Sequence, residues 1–169
     1  MQGSNFSLPD VVECERLTLF PMSEEELWEA LGEGQDCFPE SVLSPVIRRA
    51  FRSKISKMKK MPKELHPWFT YWRIVKKSGE NIGIIGSKGL PGEDGMVELG
   101  YAMAREFRRN GYMAEALLAF LDWLYECPFC TGARLRILPS NFPSLKTARS
   151  CGFIQAGQED IYFIYQYNF

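Results

Sequence analysis

The sequence predicts one mixed α/β domain in which a strongly twisted, mainly antiparallel β-sheet is flanked by helices. Residues 71–77 and 81–87 resemble two strands around a Ser-Gly-Glu-Asn turn, in which Gly79 can supply a positive φ, and this predicts a hairpin. A second turn leads from there into a strand over residues 97–104, and amphipathic helices are predicted before and after this group. Because strands joined by short turns are antiparallel neighbours, we expect these three strands to form the centre of the sheet.

The composition is that of a globular domain rather than of a membrane or fibrous protein. Of the 169 residues, 46% are hydrophobic and 24% are charged, and the formal net charge is −1. This chain is long enough to bury one hydrophobic core. Its net charge is too small to create an overall electrostatic field that would attract nucleic acid. No apolar run approaches the roughly 20 residues of a membrane helix, and the N-terminus lacks the pattern of a secretory signal. We therefore expect one domain over residues 1–169 with a flexible arm over residues 1–12, a cytoplasmic location and no contact with a membrane.

Cysteine and histidine usage predicts no metal site. Five cysteines at irregular spacing indicate free thiols rather than a disulfide framework. Cys127 and Cys130 form a lone Cys-x-x-Cys pair at the end of a predicted helix, without the second pair or histidine that zinc would need. We interpret this pair as structural. The single histidine, His66, lies in a proline-bounded loop, and we interpret it as structural as well.

The first third of the chain predicts a strand and two helices. Residues 16–20 alternate like a strand, and Ser23 is suited to cap a short helix that begins with three glutamates. Residues 42–61 predict a second helix with an apolar stripe, and we expect its basic residues on a solvated face. The alternative is a docking surface for an acidic acceptor or for RNA over residues 48–63. The stripe consists of Ile47, Phe51, Ile55, Met58 and Met61, and the basic residues are Arg48, Arg49, Arg52, Lys54, Lys57, Lys59 and Lys60.

After the central strand the pattern alternates between helix and strand. A helix is predicted from residue 113 to just before Pro128, then a strand over residues 134–138. A helix over residues 143–151 follows and is ended by Gly152. Two strands, over residues 153–156 and 161–167, close the chain.

A cationic turn lies between the central strand and the helix after it. Residues 105–111 carry three arginines and end on Gly111. The unpaired N–H groups of a helix start and its dipole, about half a positive charge, favour an anion at this place. Gly111 allows a positive φ and leaves the backbone open to close approach. The pattern therefore predicts a site for a phosphate-bearing ligand.

Two motifs in this region resemble those of the acetyl-CoA-dependent N-acetyltransferases of the GNAT superfamily. That family marks its pyrophosphate loop with Gln or Arg, two variable residues, Gly, one variable residue, and Gly or Ala, a pattern that residues 108–113 follow except that Met113 replaces the small residue. The later family helix, Asn-x-x-Ser followed by Gly-Phe, is similar to Asn141, Ser144, Gly152 and Phe153. The resemblance implies the GNAT, or acyl-CoA N-acyltransferase, fold.

The resemblance also implies that acetyl-CoA is the co-substrate. The pantetheine arm would lie between two splayed strands, with the central strand bulged near its end and the N–H groups of Ala102 and Met103 facing the thioester oxygen. The residues implied to hold the pyrophosphate are Arg108, Arg109, Asn110, Gly111, Tyr112, Met113 and Ala114.

Three side chains are implied as the catalytic group. Glu98 is the candidate base that takes the amine proton. A sheet-edge or surface glutamate is the alternative, because the sequence alone does not fix which face of the strand Glu98 occupies. Asn141 would bind the pantetheine amides or merely cap its helix, and Ser144 would orient or protonate the sulfur. Many relatives carry a tyrosine where this chain has Ala148. The proton donor is therefore Ser144, water, a tyrosine from elsewhere, or none.

From these motifs we predict an N-acetyltransferase that transfers acetyl from acetyl-CoA to a primary amine by direct attack. The chain is most similar to the branch that acetylates the N-termini of ribosomal proteins, so the acceptor is a protein N-terminus or a small amine, and a homodimer is left open. Two alternatives come from other classes. One is a catalytically weak acyl-CoA-binding or regulatory module, and the other, with the net charge against it, is a nucleic-acid-binding module.

Overall fold

A computed structural model describes residues 10–32 and 37–169, which form one eight-stranded sheet flanked by helices. The strand order is β1-β2-β3-β4-β5-β6-β8-β7, in which only β5 and β6 run parallel. The predicted mixed, mainly antiparallel fold is therefore confirmed. The strands are β1 Val12–Glu13, β2 Leu17–Pro21, β3 Trp72–Lys76, β4 Asn81–Ser87, β5 Met96–Met103, β6 Gly132–Ile137, β7 Ile154–Glu159 and β8 Tyr162–Asn168.

The helices begin where the sequence offers caps. Ser23 caps the first helix reciprocally, because its hydroxyl accepts from the Glu26 amide at 3.1 Å while its own amide donates to the Glu26 carboxylate at 2.8 Å. Ser44 caps the second helix, in which Pro45 takes the first position. The helices are α1 Glu24–Leu31, α2 Pro45–Met58, α3 His66–Phe69, α4 Tyr112–Tyr125 and α5 Phe142–Ser150, with 3₁₀ turns at Lys63–Leu65 and Arg105–Phe107.

The two faces of the sheet carry different helices. Trp72 packs its ring on Phe120 and Trp123 of α4, at centroid distances of 5.6 and 5.2 Å. Its neighbour Arg73 points to the opposite face, where it pairs with Glu26 of α1 at 3.5 Å. The α1–α2 layer and the α4–α5 layer therefore enclose the sheet between them. Directly paired residues of neighbouring strands share a face, so this assignment extends from β3 through β4 to β5.

Three local expectations need correction. The predicted arm over residues 1–12 lies outside the described residues up to residue 9, and at its end Val12 belongs to β1 and pairs with Leu19. A two-residue strand is too short to show a period in the sequence. The short helix α3 was also missed. The bulge expected near the end of β5 is absent from the described β4–β5 pairing, which is regular from Ser87–Leu99 to Gly83–Met103.

His66 is held at the end of α2, in keeping with its interpretation as a structural residue. The His66 Nε2 atom lies 2.8 Å from the Met58 carbonyl oxygen and 3.1 Å from that of Met61, so it donates to the carbonyl end of α2. This is a structural role. Within residues 10–32 and 37–169, every helix is too short or too polar to cross a bilayer.

The largest departure from the predicted pattern is Lys54, which is buried rather than part of the solvated basic face of α2. Its side chain is 6% exposed, its Nζ donates to the Ser87 carbonyl at 2.8 Å, and the same atom lies 4.3 Å from the centre of the Tyr71 ring. Burial, with the charges of Lys57 and Lys88, lowers the pKa of Lys54 from 10.5 to about 7. The spacing held a signal, since Lys54 lies three residues after Phe51 and four before Met58 on the buried stripe.

A buried lysine of this kind predicts an unusual dependence of stability on pH. Above about pH 7 the unfolded chain still binds the Lys54 proton that the folded chain has released, so the free energy of unfolding rises with pH. We compare the free energy of unfolding of wild type with that of Lys54→Met by urea unfolding. The difference, wild type minus variant, should rise by roughly 2–3 kcal/mol between pH 7 and pH 9. Lys57→Met, which removes an exposed charge from the same helix, should keep the rise. An equal slope for wild type and Lys54→Met would show that Lys54 is protonated in the folded protein throughout this range.

Candidate functional site: an anion loop beside diverging strands

The loop between β5 and α4 has the backbone geometry of an anion site. Gly111 is the N-cap of α4 with φ 75°, and Arg109 two residues earlier also has a positive φ of 65°. Asn110 between them has an ordinary negative φ, so the chain alternates in handedness and turns successive amides toward one side. Gly111 has no side chain with which to cap the helix. The cap position is therefore left to backbone amides and to whatever anion they bind.

The first turn of α4 supplies these amides. The earliest intrahelical bond runs from the Glu115 amide to the Gly111 carbonyl at 3.1 Å, so the amides of Tyr112, Met113 and Ala114 have no acceptor within the helix. The Met113 side chain is 8% exposed and belongs to the core. Its size therefore does not obstruct the loop, although relatives have a small residue there. The α4 N-terminus is sterically open to a diphosphate.

Side chains from two directions hold the loop in place. Arg108 Nε donates to the Met103 carbonyl at 3.2 Å, which ties the loop to the end of β5. Arg16, which precedes β2, donates from its backbone amide and from Nε to the Glu115 carboxylate at 2.7 and 2.6 Å. Arg16 also donates to the Asn110 carbonyl at 2.9 Å. No local sequence pattern marks Arg16 for this role, because its partners lie about a hundred residues away in the chain.

Arg16 is therefore expected to support ligand binding without changing the chemistry. Its guanidinium covers the Tyr112 ring at 4.5 Å and lies next to Gly111. We expect Arg16→Met to weaken coenzyme A binding by roughly tenfold in calorimetry, because the loop loses two charge-assisted bonds and a nearby positive charge. The turnover number at saturating acetyl-CoA should stay close to that of wild type. Unchanged affinity would show that the loop keeps its shape without Arg16.

Next to this loop the two parallel strands separate. Pairing between β5 and β6 ends at Leu99–Leu135, although β5 continues to Met103. The backbone amide of Lys88 donates to the Glu98 carbonyl, and that of Ala104 donates to the Ile82 carbonyl. These bonds show that the even-numbered residues of β5 direct their backbone groups to β4. The amides of Tyr101 and Met103 therefore point into the gap between β5 and β6. The Ala102 amide points to β4, so Tyr101 takes the position in the gap that was expected for Ala102.

Glu98 lies on β5 just before the gap, on the face of the sheet covered by α1 and α2. Its carboxylate is ion-paired with the ammonium of Lys88, which follows β4, and its side chain is 30% exposed. On the same face, Arg134 of β6 lies beside Glu98 in the pairing and is itself bound to Asp94 at 3.0 Å. Glu98 is thus a partly accessible carboxylate at the point where the strands diverge, rather than one on a sheet edge.

The opposite face of the gap is bordered by α5. The Asn141 Oδ1 atom accepts from the Ser144 amide at 3.3 Å and so caps this helix. Its Nδ2 group makes no hydrogen bond within the described part of the chain. The Tyr101 hydroxyl lies 3.4 Å from the Ser144 carbonyl, and burial raises the pKa of Tyr101 to about 12. A tyrosine hydroxyl from β5 therefore reaches the helix in which Ala148 stands at the usual tyrosine position.

Burial makes several of the cysteine thiols weak nucleophiles. All five cysteines are free. Cys151 lies nearest, with its Sγ atom 3.7 Å from the Ala114 carbonyl, and burial raises the pKa of its thiol. Burial likewise raises the pKa of Cys14 to about 11 and that of Cys130 to about 12. These thiols are protonated at neutral pH and are poor nucleophiles.

Comparison with known families decides what this arrangement is. A family model described as an acetyltransferase (GNAT) domain matches residues 16–154 of the 169. The chain belongs to the GNAT acetyltransferases. Two curated members match in part: the uncharacterized N-acetyltransferase YjdG of Bacillus subtilis (strain 168), 37% identical over 87 residues, and the uncharacterized N-acetyltransferase p20 of Bacillus licheniformis, 30% identical over 84 residues. These matches cover 51% and 50% of this chain and 52% and 47% of the relatives, so this GNAT chain aligns with about half of their length.

Solved structures of several acetyltransferases share the fold over most of this chain. A putative ribosomal-protein-serine acetyltransferase from Vibrio cholerae superposes with a TM-score of 0.67 at 16% identity, covering 96% of this chain and 99% of that one. An acetyltransferase from Salmonella typhimurium that modifies the N-terminal serine of a 50S ribosomal subunit protein gives 0.69 at 14% identity, over 94% and 99%. The microcin C7 self-immunity acetyltransferase MccE, solved with acetyl-CoA and AMP, gives 0.67 at 14%, over 96% and 99%. At these identities the similarity establishes the fold alone.

Proposed function

We propose that this GNAT protein transfers an acetyl group from acetyl-CoA to a primary amine by direct attack. The observation that carries the proposal is the placement of the open, glycine-capped start of α4 next to the gap between β5 and β6. The amides of residues 111–114 would bind the diphosphate, helped by the exposed guanidinium of Arg109. The pantetheine arm would then lie in the gap and pair with the unused N–H groups of β5. Asn141 Nδ2 is placed to donate to an amide carbonyl of that arm.

Within the gap the Tyr101 and Met103 amides would stabilise the oxygen of the thioester as it gains negative charge. Backbone donors held rigidly in a sheet need little reorganisation during the reaction, which is what makes such donors effective. The Met103 carbonyl is occupied by Arg108, so this stretch of β5 is held in place at its end. Alignment of the thioester beside a bound amine supplies a large part of the rate enhancement by itself.

Glu98 is the proposed base. An amine must lose a proton before or during attack, and the carboxylate lies on the α1–α2 face at the start of the gap. Lys88 holds the carboxylate in position through their ion pair. On the other face, the Tyr101 hydroxyl reaches α5, which contains Ser144, and the hydroxyls of these two residues are the proposed proton donors for the departing thiolate. The cysteine thiols take no part, so we propose no acyl-enzyme intermediate.

For the acceptor we propose the free N-terminus of a protein. The structural neighbours include an acetyltransferase for the N-terminal serine of a ribosomal subunit protein, which shares the fold over 94% of this chain. A ribosomal acceptor would place the reaction in the cytoplasm. Small amines are the alternative within the same chemistry.

The test is an assay of coenzyme A release with a panel of acceptors, containing short peptides with free and with blocked N-termini and small alkyl amines. The proposal predicts release that depends on a free amine, and acetylated peptide in the mass spectrum. Tight acetyl-CoA binding without release on any acceptor would instead identify a catalytically silent acyl-CoA-binding module.

A further inference from the structure

Tyr71 is the buried polar side chain that the proposed mechanism leaves without a role. It precedes β3, is 7% exposed, and its hydroxyl makes no hydrogen bond to any residue in the described ranges 10–32 and 37–169. The ring packs between Phe51 of α2, at a centroid distance of 5.5 Å, and the ammonium of Lys54. The hydroxyl is not among the buried polar atoms without a partner in the described ranges, so it is open to solvent or to a bound molecule.

The free hydroxyl points to the place where acetyl transfer is proposed. A Cβ atom added at Gly100 would lie 3.8 Å from the Tyr71 hydroxyl oxygen and 4.0 Å from Lys88 Cε. Gly100 directly follows the last β5–β6 pair and lies on the same face as Glu98. The missing side chain of Gly100 thus leaves a small space bordered by the Tyr71 hydroxyl and Lys88, on the side from which an amine would approach.

The charges around this space decide what the hydroxyl can bind. The Lys54 ammonium on its ring face withdraws electron density, which makes the Tyr71 hydroxyl a better donor and a poorer acceptor. Lys57 of α2 and Lys88 add two further positive charges, against the single carboxylate of Glu98. Two other charged pairs on this face, Arg134 with Asp94 and Arg73 with Glu26, are each neutral overall. Such surroundings disfavour an acceptor with a second cation, such as a polyamine.

We propose that Tyr71 determines acceptor specificity by donating its hydroxyl proton to a carbonyl oxygen next to the reacting amine, and that Lys54 positions and polarises it. The inference rests on the proposed acetyl transfer and narrows its acceptor to α-amino carbonyl compounds, the chemistry that a peptide N-terminus presents. Amino acid amides are the smallest acceptors of this class. Alkyl amines and polyamines lack the oxygen that the hydroxyl would bind.

The experiment compares alaninamide with isopropylamine, which has a methyl group in place of the carboxamide. We expect Tyr71→Phe to lower kcat/KM for alaninamide by about tenfold, the effect of one lost hydrogen bond, and to leave isopropylamine within about twofold of wild type. Because each amine is compared with itself in two proteins, the different basicities of the amines cancel. Phenylalanine keeps the ring that packs on Phe51 and Lys54, and thermal unfolding checks that the fold is kept.

Lys54→Met tests the positioning role through the pH profile. For each protein, the preference is kcat/KM for alaninamide divided by kcat/KM for isopropylamine. The preference of wild type, divided by that of Lys54→Met in the same buffer, should fall as the pH rises through about 7, because Lys54 then loses its proton. The groups that face Lys54 are Lys57 on its own helix, Lys88 after β4 and Tyr71 before β3. A merely structural lysine would give a ratio that does not change with pH.

The outcomes separate this inference from the proposed function. If Tyr71→Phe lowered kcat/KM equally for both amines, or for neither, the role of Tyr71 would be overturned while acetyl transfer stands. Transfer to isopropylamine but not to alaninamide in wild type would do the same. Bound acetyl-CoA without transfer to either amine or to any peptide would overturn the proposed function, and this inference with it.

Discussion

Replacing Glu98 with Gln is expected to lower kcat by about 100-fold or more, because general-base catalysis by a positioned carboxylate typically contributes that much. The substituted amide keeps the size of the side chain and cannot take the amine proton. The rise of kcat/KM with pH should also flatten, since the remaining rate would depend on amine that is already neutral in solution. Acetyl-CoA affinity should not change, because Glu98 lies on the face of the sheet opposite to α4 and α5.

Glu93→Gln is the matched control for this experiment. Glu93 is an exposed carboxylate in the turn that leads into β5, so its loss changes the net charge by the same amount five residues away. Its kcat should equal that of wild type. If Glu98→Gln turned over as fast as Glu93→Gln, the attacking amine would have to lose its proton without help from Glu98. The assignment of Glu98 as the base would then be wrong.

The second large effect is expected at Gly111. Gly111→Val places a β-branched residue at φ 75° and puts its side chain beside the Arg16 guanidinium at the start of α4. We expect coenzyme A binding to weaken by about 100-fold in calorimetry, because the added side chain excludes the diphosphate and shifts the loop away from its binding geometry, while the roughly 1–2 kcal/mol of backbone strain lowers the stability of the protein.

Gly79→Val provides the comparison, because Gly79 also has a positive φ, of 97°, and an added Cβ would meet no atom within 4 Å. It lies in the β3–β4 hairpin, outside the loop. This variant should lose similar stability and keep its affinity for coenzyme A. If both variants bound equally well, the diphosphate would have to be held by something other than the start of α4.

The predictions that succeeded rest on local chemistry. The strand, cationic turn and helix around Gly111 are contiguous in sequence, and the glycine needed for positive φ marks the turn directly. The central hairpin and the Ser23 cap are local as well. Such features are encoded within about ten residues, so a single sequence contains them.

The predictions that failed or stayed open depend on distant contacts. Lys54 is buried rather than on the expected solvated face, because it contacts Ser87 in β4 and Tyr71 just before β3, both distant in the chain. Whether the amide of Ala102 or that of Tyr101 enters the gap depends on which alternate residues of β5 bond to β4. The register of β4 and β5 fixes this. The roles of Glu98, Asn141 and Ser144 remain predictions. The sequence indicated residue types suited to the chemistry, whereas the register of the strands determines which atoms enter the gap.

A crystal structure of this protein with coenzyme A is the most direct test of the central claim. We predict that the diphosphate accepts hydrogen bonds from the amides of residues 111–114 and that the pantetheine arm lies between β5 and β6, with its thiol close to the Tyr101 and Met103 amides. A diphosphate bound away from the start of α4, or a pantetheine arm lying outside the gap, would contradict the proposed mechanism.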